Sequence, residues 1–209
     1  MNRRMEMIIA NWMIPLATVL FPLGTDWFFS NFSLVGSGDR RMEFILWGCF
    51  AGLYLSWAAR RVLNTAEQAK ATGTNTSAQP KIIGADATAQ AEVMSADPHL
   101  KATRRLLWVS GILFVIALAT PYRPQRQPLI SQVHVGSAAM TGVCFMVCVM
   151  VLSYYVKKDG GRGNYLPVTL TVMACCAVTF CILGIVSSAL EVYFVVGCAA
   201  VLYQMHRHA

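Results

Sequence analysis

The forty residues from Leu166 to Met205 contain one charged side chain, Glu191. A single bilayer crossing takes about 20 predominantly apolar residues, so a run of this length is two crossings. Lipid offers the backbone no hydrogen-bonding partners, and a helix meets that demand within its own segment. The break between the two helices is expected at Val186–Ser188, where "GIVSSALE" gathers small and polar residues. Four further apolar segments precede them, at about Met7–Phe29, Phe44–Leu63, Leu106–Pro121 and Gln132–Val156. The expected fold is all-α: one polytopic bundle of six transmembrane helices, with spans at about 7–29, 44–63, 106–121, 132–156, 166–186 and 188–205.

Charge fits that reading. Only 13% of the residues are charged, about half the share in soluble domains. The net charge of +7 comes without a basic stripe interleaved with aromatics, so no nucleic-acid partner is expected. Thirteen of the Lys and Arg residues fall on the side that holds both termini, and four (Arg40, Arg41, Arg123 and Arg126) fall on the other. Cytoplasmic loops carry the excess of positive charge, which places both termini in the cytoplasm. Trp27, Trp57, Trp108, Tyr122 and Tyr203 lie near span ends, the level that Trp and Tyr favour.

The first segment begins like a signal peptide, but its apolar run exceeds an h-region of about 7–15 residues. It also lacks a small-x-small cleavage site and reads as an uncleaved span, kinked at Pro15 and Pro22. Residues Asn64–Leu100, rich in Ala, Thr, Gln and Ser, read as a flexible cytoplasmic loop whose start extends the second helix. "KKDGGRGN", Lys157–Asn164, has the glycines of a turn but not the Gly-Lys-Ser/Thr ending of a phosphate loop. All seven cysteines lie in apolar runs and no CxxC occurs, so neither a disulfide framework nor a thiol metal site is expected. Cys144 and Cys148 share a helix face, which alone is a weak ligand pattern. No metal and no cofactor is expected. "GCFAG", Gly48–Gly52, is a GxxxG whose ordinary meaning is close helix contact.

Polar groups gather in the outer leaflet. His134 starts the fourth helix there, within "ISQVHVGSAAMTG", and Glu191 lies about a turn into the sixth. Asp26 ends the first helix, and Asn31, Ser33, Asp39, Arg40, Arg41 and Glu43 occupy the first external loop or the start of the second helix. A carboxylate within a span costs about 2.5–3.5 kcal/mol on insertion scales and usually faces a cavity or a partner. Glu191 therefore either pairs structurally, with His134 or an external arginine, or lies shallow enough to reach water, or serves function directly. His134 either closes a helix start by hydrogen bonding or acts in proton-linked chemistry. The candidate polar cluster is His134, Glu191, Asp26, Ser33, Asp39, Arg40 and Arg41.

Three stretches carry a family resemblance. "SNFSLVGSGDRRMEFILWG" (Ser30–Gly48), "ISQVHVGSAAM" (Ile130–Met140) and "SSALEVYFVVGCAAVLY" (Ser187–Tyr203) resemble the first external loop, the start of the fourth helix and the last helix of one six-helix group. That group comprises the damage-regulated autophagy modulators (DRAM) with their Frag and Sfk relatives, and the similar prokaryotic membrane family DUF-998. The resemblance implies an integral membrane protein linked to lipid handling or membrane trafficking, and it singles out Ser33, Gly36, His134 and Glu191. The long Ala/Thr/Gln-rich loop and the lack of external cysteines set this chain apart from the eukaryotic members. They favour a prokaryotic cell membrane over a role in autophagy.

Three functions compete. The first is a non-enzymatic protein that binds a membrane lipid or a membrane-protein partner through an outer-leaflet polar pocket. The second is an intramembrane lipid-modifying enzyme that uses His134 and Glu191. The third is a small transporter, which requires polar residues to continue through the bilayer.

Overall fold

The structure, a computed structural model, describes residues 3–77, 97–158, 165–183 and 186–208. Among these residues there are helices and turns but no strand. Helix α1 (Arg3–Ile8), a π-helical stretch (Ile9–Met13) and α2 (Ile14–Leu20) follow one another without a break. A turn region leads to the short α3 (Phe32–Val35). The long helices are α4 (Arg41–Ser77), α5 (Pro98–Ala119), α6 (Pro128–Lys158), α7 (Tyr165–Leu183) and α8 (Ser188–His208).

Among the described residues five helices, α4 to α8, are long and apolar enough to cross a membrane. Their exposed faces are as apolar as their buried ones. Helix α7 has a mean hydropathy of 2.3, yet only 6% of its most apolar stretch is buried in the bundle. Leu53 and Leu129 are each 72% exposed. Soluble monomers rarely show contiguous apolar surface on that scale. Against lipid tails it carries no penalty, and this is the exterior of an integral membrane protein.

Helix boundaries differ from the sequence expectation for local reasons. Helical geometry in the first segment ends at Leu20, and residues 21–29 form turns rather than more helix. Pro22 lies in that turn region. Pro15 stands in the first turn of α2, directly after the π-helical stretch. A proline lacks the amide that would bond the carbonyl four residues back, and π-bulges occur where that ladder is disturbed. Helix α5 begins at Pro98, ahead of the expected Leu106, because Asp97 caps it; its Oδ1 accepts from the His99 amide at 2.8 Å. Helix α6 also begins on a proline, Pro128 rather than Gln132. Proline suits the first helical position, where its missing donor has no partner to lose. Helix α4 runs on to Ser77, so 64–77 belong to it. The remainder of the expected flexible loop, 78–96, lies outside the described residues, as do 159–164 of the glycine-rich turn. Val186 and Ser187 are non-helical between α7 and α8.

Helix α4 is the central element and packs against α5, α6 and α8. Its inner face repeats at helical spacing through Ala51, Leu55, Ala58, Ala59, Val62 and Leu63, all buried. In lipid, helices associate through close packing rather than the hydrophobic effect, which favours small residues at contacts. The GxxxG shows this directly. A Cβ on Gly48 would fall 2.5 Å from Leu118 Cδ2, and one on Gly52 would overlap the Phe114 ring. Leu or Phe at either position drives α4 and α5 apart, with an expected loss of about 1–3 kcal/mol for overpacking. Thermal unfolding in nanodiscs checks this. Gly52→Leu should melt earlier than wild type, whereas Gly111→Ala, whose new Cβ meets nothing within 4 Å, should not.

Candidate functional site

The polar residues predicted for the outer leaflet converge on the turn region before α4. Asp26 folds that region back on itself by accepting from the amides of Phe28 and Phe29 at 3.0 and 3.2 Å. The turn then serves α8. The first four amides of a helix have no partner inside it. Here the Ser188 amide donates to the Ser30 carbonyl at 2.7 Å and the Ala189 amide to the Trp27 carbonyl at 3.0 Å. The Leu190 amide donates to Ser187 Oγ at 3.3 Å, and the Glu191 amide to the Ser187 carbonyl at 3.0 Å. Every donor at the start of α8 is met.

Glu191 returns the favour to α3. Its Oε2 accepts from the Phe32 amide at 2.6 Å, while Asn31 caps the same short helix by accepting from the Leu34 amide at 2.7 Å. His134 holds α3 from the other side. Its Nε2 lies 2.6 Å from Ser33 Oγ, and its Nδ1 lies 2.9 Å from the Thr120 carbonyl. A carbonyl only accepts, so Nδ1 carries the hydrogen. In the neutral ring Nε2 is then an acceptor and Ser33 is the donor. His134 is only 2% exposed, and both of its nitrogens are engaged.

His134 and Glu191 therefore meet the neighbouring residues Ser33 and Phe32. No hydrogen bond or ion pair joins the two directly among the described residues. Arg41 closes the end of α5 by donating to the Leu118 and Ala119 carbonyls at 3.4 and 3.0 Å. A cation at a helix C-terminus also complements its dipole. Arg40 pairs with Glu43 at 2.8 Å, and its guanidinium lies 5.2 Å from the Phe21 ring. Asp39 is exposed and has no partner among the described residues. Gly36 ends α3 against Phe44; a Cβ there would come within 2.5 Å of the Phe44 side chain.

Beneath these bonds lies an aromatic layer. Phe21 stacks on Trp47 with centroids 5.6 Å apart, and Phe32 meets Trp47 edge-on at 4.6 Å. The Trp47 indole donates to Thr18 Oγ1 at 3.2 Å. Below it a crevice of about 70 Å³ opens between α4, α5, α6 and α8, walled by Trp47, Leu55, Phe114, Phe145 and Phe194. Of its three hydroxyl residues, Ser56, Ser110 and Thr141, the last two bond each other's backbone carbonyls at 3.2 and 3.4 Å. The crevice thus presents mainly apolar surface, with Ser110 and Thr141 already bonded.

The sequence reading did not single out Glu6. This residue is 2% exposed and lies with Arg61 and His206 at the bundle end that bears both termini. From Arg41 to Arg61 along α4 is roughly 30 Å at 1.5 Å per residue, one hydrocarbon thickness. The signal was present: one acid in the apolar run "MEMIIANWM".

No known protein family, curated protein or solved structure matches the chain.

The ties to α3 can be tested one at a time. Glu191→Ala removes the acceptor for the Phe32 amide, and hydrogen exchange across Phe32–Val35 should rise while α6 stays protected. His134→Ala leaves the Thr120 carbonyl and the Ser33 hydroxyl unmet, for a loss of about 1–3 kcal/mol. A Ser33→Ala/His134→Ala double-mutant cycle should show coupling of about 0.5–3 kcal/mol.

Proposed function

We propose that the chain is a six-span membrane protein, with both termini in the cytoplasm, that holds an acyl chain of a membrane lipid in the crevice beneath Trp47. The crevice carries this reading. Its walls are mainly aromatic and aliphatic, two of its three hydroxyls are spent on backbone carbonyls, and it lies in a bundle whose outer faces expose large apolar side chains. A cavity of about 150 Å³ with such walls holds a benzene ring, so one of about 70 Å³ suits a few methylenes. Arg3–Leu20 is the proposed sixth span. Its length is about 27 Å at helical rise, and α2 packs against α4 and α8. Kinship with the DRAM, Frag and Sfk group or with DUF-998 remains a proposal resting on the three stretches quoted above, as does a prokaryotic cell membrane.

Gly111 lines the crevice, and a Cβ there meets nothing within 4 Å. Gly111→Leu therefore fills the crevice without forcing the helices apart. Mass spectrometry of lipids retained by the purified protein should find one lipid class enriched over the bulk membrane, and that enrichment should fall at least tenfold in Gly111→Leu. Equal lipid content in the two proteins overturns the reading.

One observation supports an enzymatic alternative. Ser33 Oγ, His134 Nε2 and the Thr120 carbonyl stand in the order nucleophile, base and orienting group, the arrangement that activates a serine for acyl transfer. In that reading Ser33, not Glu191, is the partner of His134. A fluorophosphonate probe separates the two functions. Labelling of Ser33 that is lost in His134→Gln supports acyl transfer, and an unlabelled wild type leaves lipid binding alone.

A further inference from the structure

At the end of the bundle that bears the termini, three elements bring ionisable side chains together around the buried Glu6, with Arg61 and His206 partly exposed. Glu6 comes from α1, Arg61 from α4 and His206 from α8. Glu6 Oε2 lies 3.5 Å from His206 Nε2 and 3.9 Å from Arg61 Nη1. Arg61 Nη1 itself lies 3.2 Å from His206 Nε2. One ring nitrogen thus faces a donor and an acceptor at once.

It serves only one of them at a time. Arginine carries donors and no acceptor, so the contact with Arg61 requires a lone pair on Nε2 and places the ring hydrogen on Nδ1. A bond to Glu6 requires the opposite, a hydrogen on Nε2. The leftover groups mark the site as incomplete. Among the described residues Glu6 Oε1, His206 Nδ1 and the Tyr54 hydroxyl are buried without a hydrogen-bond partner. Buried polar groups are nearly always satisfied, and those that are not mark an unplaced ligand or a functional site.

We propose that Glu6, Arg61 and His206 form a single-proton site, in which proton uptake turns His206 Nε2 from accepting from Arg61 to donating to Glu6. The proton adds to Nε2, no bond between heavy atoms forms or breaks, and the site gains one positive charge. Arg61 is released from the ring and keeps its place 4.9 Å from the Trp57 ring. The pair formed, Glu6 with His206, ties the first helical segment to α8. Among the described residues Tyr54 from α4 faces Glu6, and Tyr203 from α8 faces Tyr54. Arg60 on α4 is engaged elsewhere, 4.3 Å from the Trp108 ring.

The test is nitrogen NMR of the full-length protein in nanodiscs with labelled histidine, His206 being assigned by loss of its signal in His206→Gln. At alkaline pH His206 should show the Nδ1–H tautomer, and at acidic pH both nitrogens should be protonated. At the pH where half of wild-type His206 carries the second proton, Glu6→Gln should lower that fraction to about one tenth. Arg61→Gln should raise it. A wild-type ring with its hydrogen on Nε2 at alkaline pH overturns the proposal, and this reading needs neither the Glu6 nor the Arg61 variant. An unchanged protonated fraction in folded Glu6→Gln overturns it as well.

Discussion

The first amides and last carbonyls of a helix have no partner inside it, and the bundle end built around α3 follows from that rule. Helix α8 begins within the protein with four amides to satisfy. The turn between α2 and α3 supplies two carbonyls for them, and Ser187 meets the rest. Once the turn is fixed in that place, its own helix α3 needs partners. Glu191 and His134 provide them. The end of α5 is closed in turn by Arg41 and by His134 through Thr120. Each bond is modest alone, on the order of 1 kcal/mol net. Each lost partner strands a group that nothing else can meet.

This changes what the outer polar residues signify. Asp26, Glu191 and Arg41 are spent on backbone, and His134 is divided between the Thr120 carbonyl and Ser33. A polar-headed ligand at their centre would have to displace bonds of 2.6 to 2.9 Å. The crevice lies lower, among mainly aromatic and aliphatic side chains, which suit an apolar occupant. Ser33 and His134 keep an acyl-transfer alternative alive through their mutual geometry alone.

Much of the architecture was legible because apolar length is a strong constraint. The five long helices, the division of the last apolar block and the close contact through Gly48 and Gly52 all follow from it. Their ends were less legible, since caps such as Asp97–Pro98 and the proline at 128 are single-residue signals that apolar counting passes over. The gathering of polar residues near α3 was readable from topology. The pairing was not. Whether Glu191 meets His134 or a backbone amide depends on the path of a short turn, and no periodicity encodes that path. Glu6 escaped notice for a related reason: its partners are 55 and 200 residues away in the chain, and a lone acid near a terminus looks like surface.

Trp47 belongs to two environments. Its upper face completes the aromatic layer under α3, and it also walls the crevice, with its nitrogen fixed on Thr18. One rigid indole cannot satisfy the two independently. A molecule that stabilises the observed ring position from below also stabilises the loop above. By thermodynamic linkage, a loop held in place raises the affinity for that molecule by the same factor. The surface between α3 and α8 is thus an indirect reading of whether the interior is full.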